Sequence, residues 1–170
     1  MGYKVLAINP GSTSTKVALY DEERPLLDLT LRHTTEELTR FTDIIDQLDW
    51  RRGLILSALR EKSFDIKELS AVIGRGGLIR PIPAGVYEVN SRMRYDLRNA
   101  QMKHACNLGG LLAAQIAHMA GVKAYIADLL EKEKAAEKQA VPACSSAGEA
   151  LPWEREDAPG RDYQSTWNQF

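Results

Sequence analysis

Apolar residues fall in short runs along the first part of the chain. Val5-Leu6-Ala7-Ile8 leads into a stretch of polar and turn-forming residues, and Val17-Ala18-Leu19-Tyr20 follows it, so two strands are predicted with a loop between them. Strand character extends from Thr15 to Asp21 and resumes from Pro25 to Leu31 after the charged turn Asp21-Glu22-Glu23-Arg24. Leu27, Leu29 and Leu31 alternate with Asp28 and Thr30, which gives this third strand one buried and one wetted face. A three-stranded meander is the expected opening. The period then changes. Thr34 with Glu37 has the form of a capping box, and from Thr42 to about Lys62 the positions Ile44, Ile45, Leu48, Ile55, Leu56 and Leu59 follow helical spacing. Ala71-Val72-Ile73 reads as a buried strand running into Arg75-Gly76-Gly77, and Val86 to Val89 as another short strand. Helical patterns cover Arg92 to Ala100 and, more strongly, Asn107 to Met119, with Gly121 as the stop signal. Ala124-Tyr125-Ile126-Ala127 makes a last buried strand that ends at Asp128.

Beyond Asp128 the pattern breaks. Leu129 to Ala140 is charged and Ala-rich with helical character, while Val141 to Phe170 has scattered Pro, Gly and Ser and no apolar period, as expected of a poorly ordered segment. Two domains of unlike character, 1–128 and 129–170, are therefore expected. With 170 residues, 44% of them hydrophobic, the chain is long enough to bury a core. Its 22 basic and 23 acidic side chains nearly balance, which removes the electrostatic footprint of a nucleic-acid or anionic-membrane partner. Two cysteines, Cys106 and Cys144, are too few for a disulfide framework and favour a reducing, cytoplasmic setting. No run approaches membrane-spanning length, and the opening apolar stretch is too short for a signal peptide.

The loop Asn9-Pro10-Gly11-Ser12-Thr13-Ser14-Thr15-Lys16 carries the chemistry. Gly11 would let backbone N–H groups approach an anion, Ser12, Thr13, Ser14 and Thr15 offer hydroxyls, and Lys16 supplies a point charge. Phosphate is the ligand this composition suits. It is not a Walker A loop, because Thr15 rather than Gly precedes the lysine and a strand follows instead of a helix. Nor is Gly74-Arg75-Gly76-Gly77 a dinucleotide fingerprint, since the third glycine is missing and Ile79-Arg80-Pro81 cannot open a helix.

A phosphate loop inside an N-terminal hairpin, followed by βαβ-type elements, resembles the actin-like, sugar-kinase and heat-shock ATPase superfamily. Most members start that loop with aspartate. Asn9 makes it similar to the acetate and butyrate kinase family instead. Three further segments resemble that family: Val72 to Pro83, His104-Ala105-Cys106-Asn107-Leu108-Gly109-Gly110, and the strand Ala124 to Asp128. The likeness covers about Lys4 to Asp128. It implies an α/β, ribonuclease H-like domain of order βββαβαβα, a mixed sheet flanked by helices. It also implies transfer of the γ-phosphoryl group of ATP to a short-chain fatty acid such as butyrate, with Mg²⁺.

The resemblance places Asn9, Gly11, Ser12, Ser14 and Lys16 on phosphate, and Arg75 and Asp128 in catalysis. Asn9 and Asp128 are the implied contacts to Mg²⁺, and Arg75, His104 and Asn107 line the acid. Chemistry supports Arg75 separately: a carboxylate and a triphosphate repel, so a fixed cation is needed between them. Arg80 is a second candidate anion contact. For His104 and Asn107 the alternative is a capping role at the following helix. The family also carries a second domain of the same fold, which this chain lacks after Asp128; truncation, with a change of reading frame, is the expected origin of residues 129–170. The other half would come from a separate polypeptide, or the chain would pair as a homodimer, or it would act as a non-catalytic phosphate-binding or oligomerisation module.

Overall fold

A computed structural model describes residues 2–77 and 85–128 of the chain. β1 (Lys4–Pro10), β2 (Ser14–Asp21) and β3 (Arg24–Arg32) form the expected antiparallel meander. A four-residue helix, α1 (Thr35–Leu38), follows, and its capping box of Thr34 and Glu37 is fully made. The next helix starts later than its apolar spacing suggested. Asp43 caps a 3-10 turn, Ile44–Asp46, and only then does α2 (Gln47–Glu61) begin. β4 (Ala71–Arg75) lies parallel to β1. β5 (Gly85–Glu88) is followed by α3 (Ser91–Arg98), where Asn90 Oδ1 accepts the Met93 N–H at 2.8 Å. A second 3-10 turn, Ala105–Asn107, runs into α4 (Leu108–Ala120). That helix stops where predicted, at Gly121 with φ 79°, a left-handed position suited to glycine. β6 (Lys123–Asp128) closes the sheet, parallel to β4 and antiparallel to β5.

The six strands lie in the order β3-β2-β1-β4-β6-β5. This is a mixed sheet with helices packed on it, as the α/β reading required. β5 is an addition to the βββαβαβα order, and it sits at the sheet edge beside β6. The expectations for Arg80 and the rest of residues 78–84, and for residues 129–170, lie outside the described residues.

Alternation assigns each strand residue to a face. Leu6, Ile8, Val17, Leu19, Val72 and Ile126 share one face, and with Ile55 and Leu59 of α2 and Leu111, Leu112 and Ile116 of α4 they belong to the core, each at most 2% exposed. At one point helix and strand touch backbone to backbone. A Cβ on Gly74 would overlap the Gly109 carbonyl and lie 2.9 Å from the Gly110 nitrogen, and one on Gly109 would overlap the Arg75 carbonyl oxygen. Glycine at both positions seats the first turn of α4 directly on the end of β4. This fixes where Arg75 emerges.

Candidate functional site

Strand register collects residues that are far apart in sequence. Asn9 pairs across the hairpin with Lys16, so both lie on the same face of the sheet. Ile8 pairs with Gly74 in the parallel β1/β4 ladder, so Asn9 and Arg75, each one step further on, share that face too. It is the face opposite the helix-packed core. Lys16 is exposed there and Asn9 and Arg75 are partly buried. One row at the carboxyl end of β1 and β4 thus carries an amide, an ammonium and a guanidinium. Ligands of open α/β sheets occupy this end. Arg75 pairs in turn with Ala127 of β6, and Asp128, the next residue, pairs through its backbone with Gly85.

The turn between β1 and β2 is held from inside. Arg51, on α2, is completely buried, and its Nη1 donates to Gly11 O at 2.8 Å, Thr15 Oγ1 at 3.0 Å and Ser14 O at 3.2 Å. Its Nη2 reaches Ser12 O at 3.3 Å and, at 2.8 Å, Gln47 Oε1, which also accepts from Nε at 3.1 Å. The remaining turn carbonyl, Thr13 O, accepts the His33 N–H at 2.9 Å. All four carbonyls of residues 11–14 are therefore drawn toward the protein body. Burial lowers the Arg51 pKa from its ordinary value to about 10, so the group stays charged at neutral pH. Among the described residues none of its hydrogen-bond acceptors is a carboxylate.

His33 completes this brace. Its Nε2 lies 2.9 Å from Thr15 Oγ1, and its ring stands 4.8 Å from that of Trp50, which in turn meets Phe41 at 5.3 Å. Burial, and then the neighbouring Arg51 charge, push the His33 pKa below its ordinary value. Thr15 is a correction to the four-hydroxyl reading: it is wholly buried between Arg51 and His33, while Ser12 and Thr13 are exposed. Gly11 is held within the turn. Its N–H donates to Ser14 O at 2.7 Å inside the turn, and a Cβ there would make only ordinary contacts.

The two later motifs meet each other. A Cβ on Gly77 would lie 3.0 Å from Asn107 Cα and 3.2 Å from its Oδ1, so the glycine run after β4 rests on the turn that opens α4. His104 is exposed, and its Nδ1 accepts the Cys106 N–H at 3.2 Å and lies 3.0 Å from Cys106 Sγ. The capping alternative is thus realised for His104. It is not realised for Asn107, whose buried side chain makes no cap bond and donates instead to Met102 O at 2.8 Å. The cause is local: the 3-10 turn flows straight into α4, so Asn107 already has helical φ and ψ.

Sequence reasoning missed Arg51 and His33. The available signal was the position of Arg51 on the helix stripe of Leu48 and Ile55, where a solvent-facing arginine does not belong. Among the described residues no three His, Cys, Asp or Glu side chains converge as a metal cluster, and no helix is long and apolar enough to cross a membrane.

No family model matches the sequence. Among curated proteins, butyrate kinase 1 of Clostridium acetobutylicum is 48% identical over 127 residues, which make up 74% of this chain and 36% of that protein. A probable butyrate kinase of Bacteroides thetaiotaomicron is 50% identical over 126 residues, 74% of this chain and 35% of that protein. The chain spans about a third of the length of these relatives, and the match is to their N-terminal part. Among solved structures, Porphyromonas gingivalis acetate kinase is 18% identical with a TM-score of 0.48, covering 74% of this chain and 37% of that one. The resemblance read from the motifs to butyrate kinases is thereby shown for this stretch.

Proposed function

We propose that residues 1–128 form the phosphate- and acid-binding lobe of an ATP-dependent carboxylate kinase of the butyrate kinase type. The reaction is butyrate + ATP ⇌ butyryl phosphate + ADP. The observation that carries this reading is the row of Asn9, Lys16 and Arg75 on one sheet face at the carboxyl end of β1 and β4. Identity of 48–50% to butyrate kinases supports the choice of acceptor class.

In this reading the turn and Lys16 hold the terminal phosphates while Arg75 holds the carboxylate against them. An oxygen of the acid attacks the γ-phosphorus as the bond from that phosphorus to the β–γ bridging oxygen breaks, and ADP leaves. No protein nucleophile is needed. The lobe contributes position and charge neutralisation, which dominate phosphoryl transfer. Arg75 offsets two negative partners at once, and a planar guanidinium suits both. Mg²⁺ usually takes only one or two protein oxygens and completes its shell with phosphates and water, so it does not require the carboxylate cluster that the described residues lack. Asn9 and Asp128 are the oxygen donors assigned to it here, and when bound it would screen phosphate charge. His104 and Asn107 are the further residues assigned to the acid. We assign the chain to the cytoplasm because its two cysteines favour a reducing compartment.

The chain spans about a third of the length of these relatives, so the assay adds the part that it does not cover. The test is acyl phosphate formation, trapped with hydroxylamine, from MgATP and acetate, propionate, butyrate or isobutyrate. The 170-residue chain is assayed alone and mixed with the C-terminal remainder of the Clostridium acetobutylicum enzyme. Hydroxamate formed only in the mixture supports a two-lobed kinase. None in either, with binding between the halves verified, favours a non-catalytic phosphate-binding module.

A further inference from the structure

A trans peptide is planar, so each carbonyl oxygen points opposite to the N–H of the next residue. In the turn after β1, Arg51 draws Gly11 O and Ser12 O into the protein, at 2.8 Å and 3.3 Å. The N–H groups of Ser12 and Thr13 are then forced the other way. Neither N–H has an acceptor among the described residues, and both residues are exposed. We propose that Arg51 is the positioning residue of the anion site, turning the Ser12 and Thr13 N–H groups outward to donate to a ligand phosphate. This rests on the reading of the turn as a phosphate site.

Two features make arginine the suitable residue. Its planar fork supplies five N–H donors, which serve Gly11, Ser12, Ser14 and Thr15 together, with one Nη1 hydrogen shared between two acceptors, while Gln47 steadies the other side. A lysine ammonium has three donors on one atom and cannot span that set. The second feature is charge. A buried guanidinium bonded only to neutral oxygens, among the described residues, is costly in isolation, and it leaves positive potential directly behind the turn. A bound polyphosphate on the outer side of the same peptides is its natural counter-charge. Carbonyls drawn in and N–H groups turned out make each peptide dipole of the turn transmit that potential outward. Arg51 would therefore act through the turn without touching the ligand.

The experiment is a titration of the ¹⁵N-labelled 170-residue chain with inorganic tripolyphosphate, following backbone amides, in wild type, Arg51→Met and Arg51→Lys. Wild type is expected to show its largest shifts at Ser12 and Thr13. Arg51→Met is expected to bind at least tenfold more weakly, and Arg51→Lys to recover part of the loss by restoring charge without the fork. A residue that only braced the hairpin would lower unfolding stability and leave the affinity of the folded variant unchanged. Binding by folded Arg51→Met within twofold of wild type overturns the role of Arg51 and leaves the turn as a phosphate site. Ser12 and Thr13 amides that do not respond in wild type overturn both. If Arg51→Met does not fold, Arg51→Lys decides, with three- to tenfold weakening expected and wild-type affinity overturning the proposal.

Discussion

Gly109→Ala separates the tertiary reading of α4 from helix propensity, because the two predict opposite signs. Alanine in place of a helical glycine stabilises an exposed helix by about 0.5–1 kcal/mol. Gly109 is not in that situation. Its Cβ would overlap the Arg75 carbonyl oxygen and stand 3.2 Å and 3.3 Å from the carbonyl carbon and amide nitrogen of the same residue, all backbone atoms of β4. Ordinary contact begins near 3.4 Å, so the first turn of α4 must withdraw from the strand by on the order of 1 Å, as overpacked cores do. Withdrawal loosens Leu108, Leu111 and Leu112, each at most 1% exposed. Overpacking against backbone belongs at the upper end of the usual ~1–3 kcal/mol, and after the propensity gain a net loss of about 2 kcal/mol remains. That corresponds to roughly 5–10 °C in Tm for a unit of this size. The assay is urea and thermal unfolding by circular dichroism, with Gly53→Ala as the internal reference. Gly53 lies inside α2 and a Cβ there meets nothing within 4 Å, so that variant should gain about 0.5–1 kcal/mol. A Gly109→Ala protein as stable as wild type would refute the backbone-on-backbone seating of α4 and the account of how Arg75 is positioned.

Other outcomes follow from single interactions. Asn90→Ala removes the acceptor for the Met93 N–H and should cost about 1 kcal/mol in urea unfolding, with Asn90→Asp retaining most of it; no change would show the cap to be idle. His33 is held neutral in the folded chain, with its pKa lowered by burial and by Arg51. Its unfolded form binds a proton near pH 6.5, so it leaves stability unaffected above that pH and removes stability as pH falls below it through the depressed native value. Unfolding midpoints compared at pH 7.5 and 5.5 should therefore fall in wild type more than in His33→Gln. Equal slopes would mean that His33 does not titrate against the fold. Gly110→Ala should be milder than Gly109→Ala, because its new Cβ meets side-chain ends, Leu97 Cδ1 at 2.8 Å and Ile126 Cδ1 at 3.1 Å, rather than backbone.

The strands were legible in the sequence because their alternation is strict: Leu27, Leu29 and Leu31 in β3, or Val17 and Leu19 in β2, leave little choice of face. Gly121 marked the end of α4 because a left-handed residue was required there. The 3-10 turns at Ile44–Asp46 and Ala105–Asn107 were not visible, since three residues carry no period; apolar spacing absorbed the first into the helix expected from Thr42, and the second lay almost wholly in the unassigned stretch before the helix expected from Asn107. In the candidate site, the residues facing outward were read from composition, and strand register then placed Asn9, Lys16 and Arg75 on one face. The inward support was not read. Thr15 looks like a fourth hydroxyl donor until its alternation with Val17 and Leu19 is followed back to the buried face, and Arg51 looks like a surface charge until its helical phase is counted. The glycines that packing makes indispensable, Gly74 and Gly109, are those where two backbones touch, whereas the Gly11 N–H closes its own turn.

The shared sheet face is tested most directly by steady-state kinetics of acyl phosphate formation in the complemented two-lobed enzyme carrying Lys16→Ala or Arg75→Ala. Lys16→Ala is expected to raise KM for MgATP with little effect on KM for butyrate. Arg75→Ala is expected to raise KM for butyrate and to lower kcat by about 100-fold, the scale seen when one preorganised charge is removed from a transition state. Wild-type values of kcat and both KM in the two folded variants would contradict the account.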